Sequence, residues 1–303
     1  MNMNRPLILI TNDDGDDAKG IEVLTRLMCE IGDVIVVAPD GPRSAQSNAL
    51  TVTHPIRFKK LEEKKGLIRY SCTGTPTDCV KLALNAIVDR RPDLVVSGIN
   101  HGSNSAINVI YSGTMGAVLE GSENGILSIG FSISSHSLDV DFSFFESYVL
   151  QITRLALQNG LPAGTSLNVN APTGEIAGIR IARQCVGRWV KEYEKRTDPQ
   201  GRAYFWLTGY FENHEPEAED TDEWALLNGF VSIVPTKIDL TAYEAMDAVN
   251  GWKFKTQAGK AQSNGKGTHV PGIVPANGNK VDNPVEDLIS QNGLDAPLPE
   301  SNN

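Results

Sequence analysis

Two adjacent carboxylates, Asp13 and Asp14, stand between a short apolar run and a glycine in the stretch ILITNDDG, residues 8–15. Neighbouring carboxylates repel each other, and a hard divalent cation such as Mg²⁺ or Mn²⁺ relieves that repulsion because such ions prefer oxygen ligands. The same residue types also make an ordinary turn followed by a helix cap. The pair therefore predicts either a site for a hard cation or a plain turn.

Neutral oxygen ligands for such a cation are offered by Ser44 and Asn100, which follow two further apolar runs. Together with Asp13 and Asp14 they predict a site with open positions for water and a substrate oxygen. The sequence has no Cys/His cluster with ligand spacing, which argues against zinc. Asn12 either steers Asp13, donates to the substrate or merely forms the turn.

Small and polar residues that could bind a phosphate group occur at two places. In the loop SGINHGSN, residues 97–104, glycines would let backbone N–H groups approach an anion, and a predicted helix start follows at residues 112–114. An ordinary helix cap explains the second place equally well. His101 either protonates a leaving group or has no task. The predicted phosphate-binding residues are Ser97, Gly98, Asn104, Ser112, Gly113 and Thr114.

The elements around these residues alternate between buried strands and amphipathic helices. Strands are predicted at residues 7–10, 33–39, 92–97, 126–132 and 166–170, and helices at residues 18–31, 75–87, 111–121 and 142–157. This alternation is typical of a mostly parallel sheet in an α/β fold. Because ligands of such sheets bind beyond the carboxyl ends of the strands, the polar segments at residues 12, 44 and 100 should meet at one edge. An antiparallel pair is predicted from residues 51–58 and 67–72.

The chain changes character after residue 171. Strand-like segments are predicted at residues 178–183, 187–194, 204–208 and 229–235, and seven of the twelve residues 212–223 are acidic, which predicts a solvated loop. Residues 251–303 are rich in Gly, Pro and Asn and predict a largely disordered tail. We therefore expect one α/β domain over residues 1–250, with a core at about 5–172 and a β-rich oligomerisation part at about 173–250.

The bulk composition excludes several classes of protein. A formal net charge of −10 without a basic stripe argues against binding a nucleic acid polymer. No apolar run approaches the roughly 18 residues of a membrane span, and the N-terminal run is too short for a signal peptide. The four cysteines lack zinc or redox spacing and predict reduced structural thiols. We expect a cytoplasmic protein without a membrane partner.

With these motifs in place, the sequence resembles the SurE family of metal-dependent nucleotidases. The resemblance spans roughly residues 6–245 and is carried by five segments in this order: TNDDG (11–15), VVAPDGPRSAQSN (36–48), TGTPTDCV (73–80), SGINHGSN (97–104) and YSGTMGAVLEG (111–121). Weaker matches are SLNVNAP (166–172) and TDEWALLNGFVSIVPTKIDLT (221–241).

The resemblance implies hydrolysis of nucleoside 5′-monophosphates, with 3′-nucleotides and short polyphosphate as further substrates, by one divalent cation (Mg²⁺ or Mn²⁺) per subunit. The family's metal ligands fall on Asp13, Asp14, Ser44 and Asn100. Its phosphate-binding positions fall near Asn12, Ser97, Gly98, Asn104, Ser112, Gly113 and Thr114. The implied fold is a Rossmann-like three-layer core with a β-rich C-terminal extension swapped between the subunits of a homodimer or homotetramer.

Two other functions compete with this one. A nucleotide- or metal-binding module without catalysis would carry similar residues but would release no phosphate. A phosphotransferase with an aspartyl-phosphate intermediate is disfavoured, because Asp13 and Asp14 are adjacent and lack the D-x-D spacing of haloacid-dehalogenase-type phosphatases. Whether water or a carboxylate attacks phosphorus is left open by the residues.

Overall fold

Alternate side chains of the first strand, β1 (Leu7–Thr11), point into two separate hydrophobic cores. Ile8 and Ile10 belong to a core formed with helices on one face of the sheet, and Leu7 and Leu9 belong to a core on the other face. A strand with both faces buried reads as a continuous apolar run, as this one does. The fold is accordingly a three-layer α/β arrangement, as predicted.

The computed structural model describes residues 1, 5–137 and 139–252, within a compact unit that spans residues 1–252. Its strands after β1 are β2 (Asp33–Pro39), β3 (Phe58–Lys64), β4 (Leu67–Cys72), β5 (Leu94–His101), β6 (Leu127–Ile133), β7 (Thr165–Ala171), β8 (Gly178–Ile181), β9 (Gly187–Val190), β10 (Tyr193–Thr197), β11 (Ala203–Leu207), β12 (Tyr210–Asn213) and β13 (Phe230–Lys237). Its α-helices are α1 (Lys19–Ile31), α2 (Pro76–Leu82), α3 (Gly113–Glu123), α4 (Ser143–Asn159), α5 (Asp222–Leu227) and α6 (Met246–Asn250).

Nine of the described strands form the central sheet in the order β3-β4-β2-β1-β5-β6-β7-β13-β8. The six strands from β4 to β7 run parallel, whereas β3 and β13 are antiparallel to their neighbours β4 and β7. Helices α1 and α4 supply residues to one core, and α2 and α3 supply residues to the other. In the sheet, β1 lies between β2 and β5. Strands β2 and β4 follow on one side of β1, and β5 to β7 follow on the other side, so the strand order reverses between β1 and β5.

Local sequence signals explain where two of the helices begin. Thr75 caps α2 through a reciprocal pair of hydrogen bonds with Asp78, and Pro76 occupies the first helical position. Ser112 caps α3 by accepting a hydrogen bond of 3.0 Å from the N–H of Met115. The predicted helix starts at residues 75 and 112–114 are confirmed.

The strand predicted at residues 51–58 is wrong, although the antiparallel pair itself is confirmed. The strand that pairs with β4 is β3, which begins at Phe58 and consists mainly of exposed Lys and Glu. Val52 is 83% exposed, so the alternation upstream of Phe58 does not mark a buried face. Charged side chains on an outer strand protect a sheet edge from pairing with other chains, which hides the strand from a hydrophobic pattern.

The described strands after residue 171 divide differently from the prediction. β8 and β13 extend the central sheet, whereas β9 pairs with β12 and β10 pairs with β11 in two separate ribbons. The single strand predicted at residues 187–194 is broken at Lys191, whose φ of +54° lies in the left-handed region. Exchange of this part between subunits stays a prediction, and the predicted tail beyond Trp252 lies outside the described residues.

The acidic run at residues 212–223 is only partly the solvated loop that its charge predicts. Its last two residues begin α5, and Asp222 is 1% exposed. The Asp222 carboxylate accepts hydrogen bonds from the backbone N–H groups of Ala106, Cys185 and Glu223 at 2.8–2.9 Å. Three donors compensate for the burial of this charge, and burial nonetheless raises its pKa.

Two further predictions concern the cysteines, which the sequence predicts to be reduced thiols, and the lack of a membrane-spanning segment. All four cysteines are free thiols, and three of them are buried. Among the residues that the structure describes, no helix combines the length and the apolar character needed to cross a membrane.

Candidate active site

Asp13 is a buried carboxylate at the carboxyl end of β1, with only 5% of the residue exposed. Its Oδ1 accepts a hydrogen bond from the Thr114 hydroxyl at the start of α3. Gly113 lies so close that a Cβ there would stand 2.8 Å from Asp13 Cβ and 3.2 Å from Oδ2. The absence of a side chain at Gly113 thus leaves room for the carboxylate at the helix N-terminus.

Burial raises the pKa of Asp13 from its ordinary value of 3.8 to about 6. The hydrogen bond from Thr114 opposes this rise, and the neighbouring Asp14 adds to it. A desolvated carboxylate beside a second one is stabilised in its ionised form by a nearby cation. The electrostatics of the pair therefore favour a bound positive charge.

Asp14 is less buried and is held by His101 at the end of β5. Its Oδ2 accepts hydrogen bonds from the His101 backbone N–H at 3.3 Å and from Nδ1 at 3.2 Å. In the tautomer that makes this contact a hydrogen bond to a carboxylate, Nδ1 is the donor and Oδ2 the acceptor. The His101 ring packs edge-on against Phe142, and its Nε2 is buried without a partner among the described residues.

Asn100 lies inside β5, which continues through His101 instead of ending at residue 97 as predicted. The ladder to β6 shifts register between Ser97 and Asn100, and Gly98 has a φ of +126°. A Cβ at Gly98 would stand 2.2 Å from the carbonyl oxygen of Phe131. The side chain of Asn100 donates to the Gly102 carbonyl at 2.8 Å, so its orientation is fixed.

Ser44 lies on the exposed loop after β2, and a backbone contact next to it ties this loop to β1. The N–H of Arg43 donates to the carbonyl of Asp13 at 2.7 Å. Further along the loop, Ser47 donates to the carbonyl of Ile110 through its hydroxyl and to that of Tyr111 through its N–H. The loop that carries Ser44 is thereby placed between the end of β1 and the segment before α3.

The predicted phosphate-binding side chains are largely engaged in holding the backbone. Ser112 caps α3, and Thr114 binds Asp13. Asn104 donates to Ser132 and is held through its backbone by the buried side chains of Asn168 and Asn170. Their contribution to a bound anion would therefore come mainly from backbone N–H groups and from the start of α3.

Two predicted residues have distinct positions. Asn12 is 1% exposed, and its side chain bonds both the carbonyl and the N–H of Gly15, as a turn-forming Asn does. Ser97 pairs with Thr11 across the β1–β5 ladder, and its buried hydroxyl has no partner among the described residues. Asn12 therefore stabilises the turn after β1, and Ser97 lies beside the last residue of β1 in the sheet.

The donor set fits a hard divalent cation better than zinc. Among the residues that the structure describes, no group of three or more His, Cys, Asp or Glu side chains is placed to hold a metal. The oxygens available at this edge are the two carboxylates, the Ser44 hydroxyl and the Asn100 amide. Carboxylate and neutral oxygens with open positions suit Mg²⁺ or Mn²⁺.

Sequence reasoning underrated several residues that shape the site. The sequence leaves open whether His101 protonates a leaving group or has no task, whereas the structure shows that it contacts Asp14. Asn168 and Asn170 lie on β7 and support the loop at Asn104, and Asp222 holds the backbone of Ala106 from 116 residues away. Polar residues inside an apolar strand, such as those of SLNVN, were the available signal for the asparagines.

Comparison with known proteins gives concordant matches. A curated protein from Phocaeicola vulgatus, named 5′-nucleotidase SurE, is 52% identical over 256 residues, which cover 84% of this chain and all of that protein. A protein of the same name from Bacteroides fragilis is 52% identical over 255 residues, covering 84% of this chain and all of the relative. The crystal structure of the SurE protein from Aquifex aeolicus has a TM-score of 0.69 at 36% identity, covering 81% of this chain and 98% of that one.

The family model described as "Survival protein SurE" matches residues 8–191, which include every site residue that the sequence predicts. The relatives are covered along their whole length at about half identity, and the structural neighbour shares the fold. The chain belongs to the SurE family.

Proposed function

We propose that this protein is a divalent-metal-dependent 5′-nucleotidase, which hydrolyses nucleoside 5′-monophosphates to nucleoside and phosphate. The observation that carries the proposal is the buried Asp13 beside Asp14 at the carboxyl ends of β1 and β5, facing the N-terminus of α3. The names of the relatives support the nucleotidase activity. 3′-Nucleotides and short polyphosphate are proposed as further substrates.

One Mg²⁺ or Mn²⁺ per subunit would be held by Asp13, Asp14, Ser44 and Asn100. When bound, such a cation supplies positive charge at the phosphate and makes an attacking water more acidic. The cation would offset the repulsion between Asp13 and Asp14.

The chain's own residues would position the reacting groups. The start of α3 presents backbone N–H groups and the positive end of the helix dipole to phosphate oxygens. Thr114 and His101 hold the two carboxylates in place. A water oxygen attacks phosphorus as the bond between phosphorus and the 5′ oxygen breaks. Of the two protons of that water, one stays on the phosphate that forms and the other is transferred, in net terms, to the departing 5′ oxygen to give the nucleoside.

Phosphate release tests this proposal. The protein should release phosphate from AMP with Mg²⁺ or Mn²⁺, should stop with EDTA and should recover when the metal is restored. Asp14→Asn should abolish metal-dependent turnover while the melting temperature stays close to that of the parent protein. Asp17→Asn removes an exposed carboxylate from the same loop and serves as the matched control, which should keep its activity.

Two results would contradict the proposal. Release of phosphate that EDTA does not affect would remove the metal from the reaction. No release with any metal, from a folded protein that still binds nucleotide, would favour a non-catalytic binding module.

We also propose that the protein is a homodimer or homotetramer with C-terminal segments exchanged between subunits. The ribbon of β10 and β11 carries large apolar side chains that the described residues leave open to solvent: Phe205 is 58%, Trp206 57% and Leu207 65% exposed. Clustered exposed apolar residues are typical of interaction surfaces. A second copy of the chain is the proposed cover.

A further inference from the structure

A groove of about 500 Å³ lies at the same edge of the sheet as the candidate active site, beyond the carboxyl ends of β5, β6 and β7. Its lining includes Ser103, Ser105, His136, Glu223 and Leu227. Ser103 and Ser105 flank Asn104 in the loop after β5. The N–H of Gly102 in that loop donates to the carbonyl of Ile133 at the end of β6 and to that of Ser135 just after it. The groove therefore begins where the loop of the proposed phosphate site ends.

A chain of hydrogen bonds crosses the floor of this groove. The Ser105 hydroxyl donates to Oε1 of Glu223, the Ser103 hydroxyl lies 2.7 Å from that of Ser105, and Asn170 accepts from Ser103 at 3.2 Å. Ser105 is 1% exposed, whereas Glu223 is only partly buried. Oε2 of Glu223 accepts no hydrogen bond from the residues that the structure describes, so it is available to a ligand.

The charges and the size of the groove select the kind of ligand. A carboxylate repels a phosphate and accepts hydrogen bonds from hydroxyl and N–H groups. The side chains of Pro172, Leu226 and Leu227 supply apolar wall to the same space. Small-molecule sites typically measure about 300–1,000 Å³ and combine apolar walls with a few polar groups. A ribose with an attached base has hydroxyl and N–H donors together with flat apolar faces.

We propose that this groove binds the nucleoside part of the substrate, with Glu223 accepting hydrogen bonds from its hydroxyl or N–H donors. The inference rests on the proposed nucleotidase function and adds a specificity-determining residue to it. Glu223 acts on the part of the substrate that does not react, so its effect depends on what the phosphate is attached to.

The test compares three phosphate esters that share the reacting group: AMP, ribose 5-phosphate and p-nitrophenyl phosphate. Glu223→Gln keeps an oxygen that accepts from Ser105 but removes the charge that a donor-rich ligand would bind. Loss of one hydrogen bond to a charged group corresponds to about a tenfold change. We expect kcat/KM for AMP to fall about tenfold relative to kcat/KM for p-nitrophenyl phosphate in this variant.

A second variant and a control keep the test decisive. Leu227 is 85% exposed, so Leu227→Ser does not disturb the core, and it should raise KM for AMP more than for p-nitrophenyl phosphate. Glu219→Gln removes an exposed carboxylate of the acidic run outside the groove and should leave the ratio between the substrates unchanged.

The outcomes separate the inference from the function on which it rests. Equal changes for all three esters in both groove variants, or no change for any, would overturn the nucleoside groove while leaving the phosphatase intact. Release of phosphate from none of the esters by the parent protein would instead contradict the proposed function.

Discussion

At the residue scale, the site depends on two carboxylates with different surroundings. Asp13 is buried against α3 and accepts from Thr114, whereas Asp14 is held by His101 and is partly exposed. Burial raises the pKa of Asp13, so ionisation of this group lowers the free energy of unfolding of the metal-free protein. The two aspartates are thus neighbours in sequence with separate supports.

The first prediction concerns the pH dependence of stability in the metal-free protein. Between pH 4 and pH 6 the unfolded chain loses the Asp13 proton while the folded chain retains it, so the free energy of unfolding should fall as pH rises. The raised pKa corresponds to about 3 kcal/mol. Asp13→Asn should lack this term, and urea unfolding in EDTA at several pH values measures the difference between the two proteins.

The free energy of unfolding of Asp13→Asn should rise relative to that of the parent protein as pH rises. Above about pH 7 the difference between the two proteins should be constant. The exposed Asp17→Asn variant should follow the parent protein throughout. A stability difference between Asp13→Asn and the parent protein that is the same at pH 4 and pH 7 would show that Asp13 is not desolvated.

The second prediction assigns His101 to positioning Asp14. His101→Phe keeps the packing against Phe142 but loses the donor at Nδ1, whereas His101→Asn places an amide donor near the position of Nδ1. Loss of such a supporting hydrogen bond typically weakens metal binding about 10–100-fold. Mn²⁺ titration followed by electron paramagnetic resonance should show a higher Kd for the Phe variant and recovery in the Asn variant. Equal affinity in all three proteins would leave His101 without this role.

At the scale of elements, the site is assembled from the ends of parallel strands and the starts of helices. The convergence of the segments after β1, β2 and β5 follows from apolar runs and short connections, so it could be predicted. The continuation of β5 through residues 98–101 could not, because a glycine and an asparagine on either side of one apolar residue do not form a strand pattern. Their conformation depends on the neighbouring β6, whose Phe131 carbonyl lies against Gly98.

The third prediction concerns the tie between α5 and the loop before α3. Asp222→Asn should lower the free energy of unfolding by about 1–3 kcal/mol, because an amide group must face one of three backbone N–H groups with its own donor. Urea unfolding measures this change. Asp220→Asn, which affects only an exposed ion pair with Arg183, is the control and should differ from the parent protein by less than about 1 kcal/mol. A loss of the same size in both variants would argue against the buried tie.

At the scale of the whole molecule, the three layers could be predicted from sequence and the C-terminal architecture could not. The core strands are continuous apolar runs, and such runs indicate by themselves that both faces of the strand are buried. Residues 187–213 instead form two ribbons, and the residues that the structure describes leave Phe205, Trp206 and Leu207 of the second ribbon exposed. An exposed ribbon has no buried face, so its hydrophobic periodicity does not indicate how its strands pair.

The fourth prediction concerns that missing cover. Trp206→Ser should lower the molar mass in solution from that of a dimer or tetramer towards that of one chain, because it removes an exposed aromatic side chain from the ribbon. Size-exclusion chromatography with light scattering measures the mass. Leu155→Ser removes an exposed apolar side chain from α4 and should leave the mass unchanged. A parent protein that is monomeric at all concentrations would contradict the proposed oligomer.

The contacts that hold the two aspartates also set the order in which the site can form during synthesis. Thr114 follows Asp13 by 101 residues, and His101 follows Asp14 by 87. Bringing such distant residues together costs loop-closure entropy that only the docking of β5 beside β1 repays. An emerging chain therefore carries its acidic pair through the synthesis of β1 to β5 without its supports. Under the proposed function, cation binding would mark that these central strands have docked.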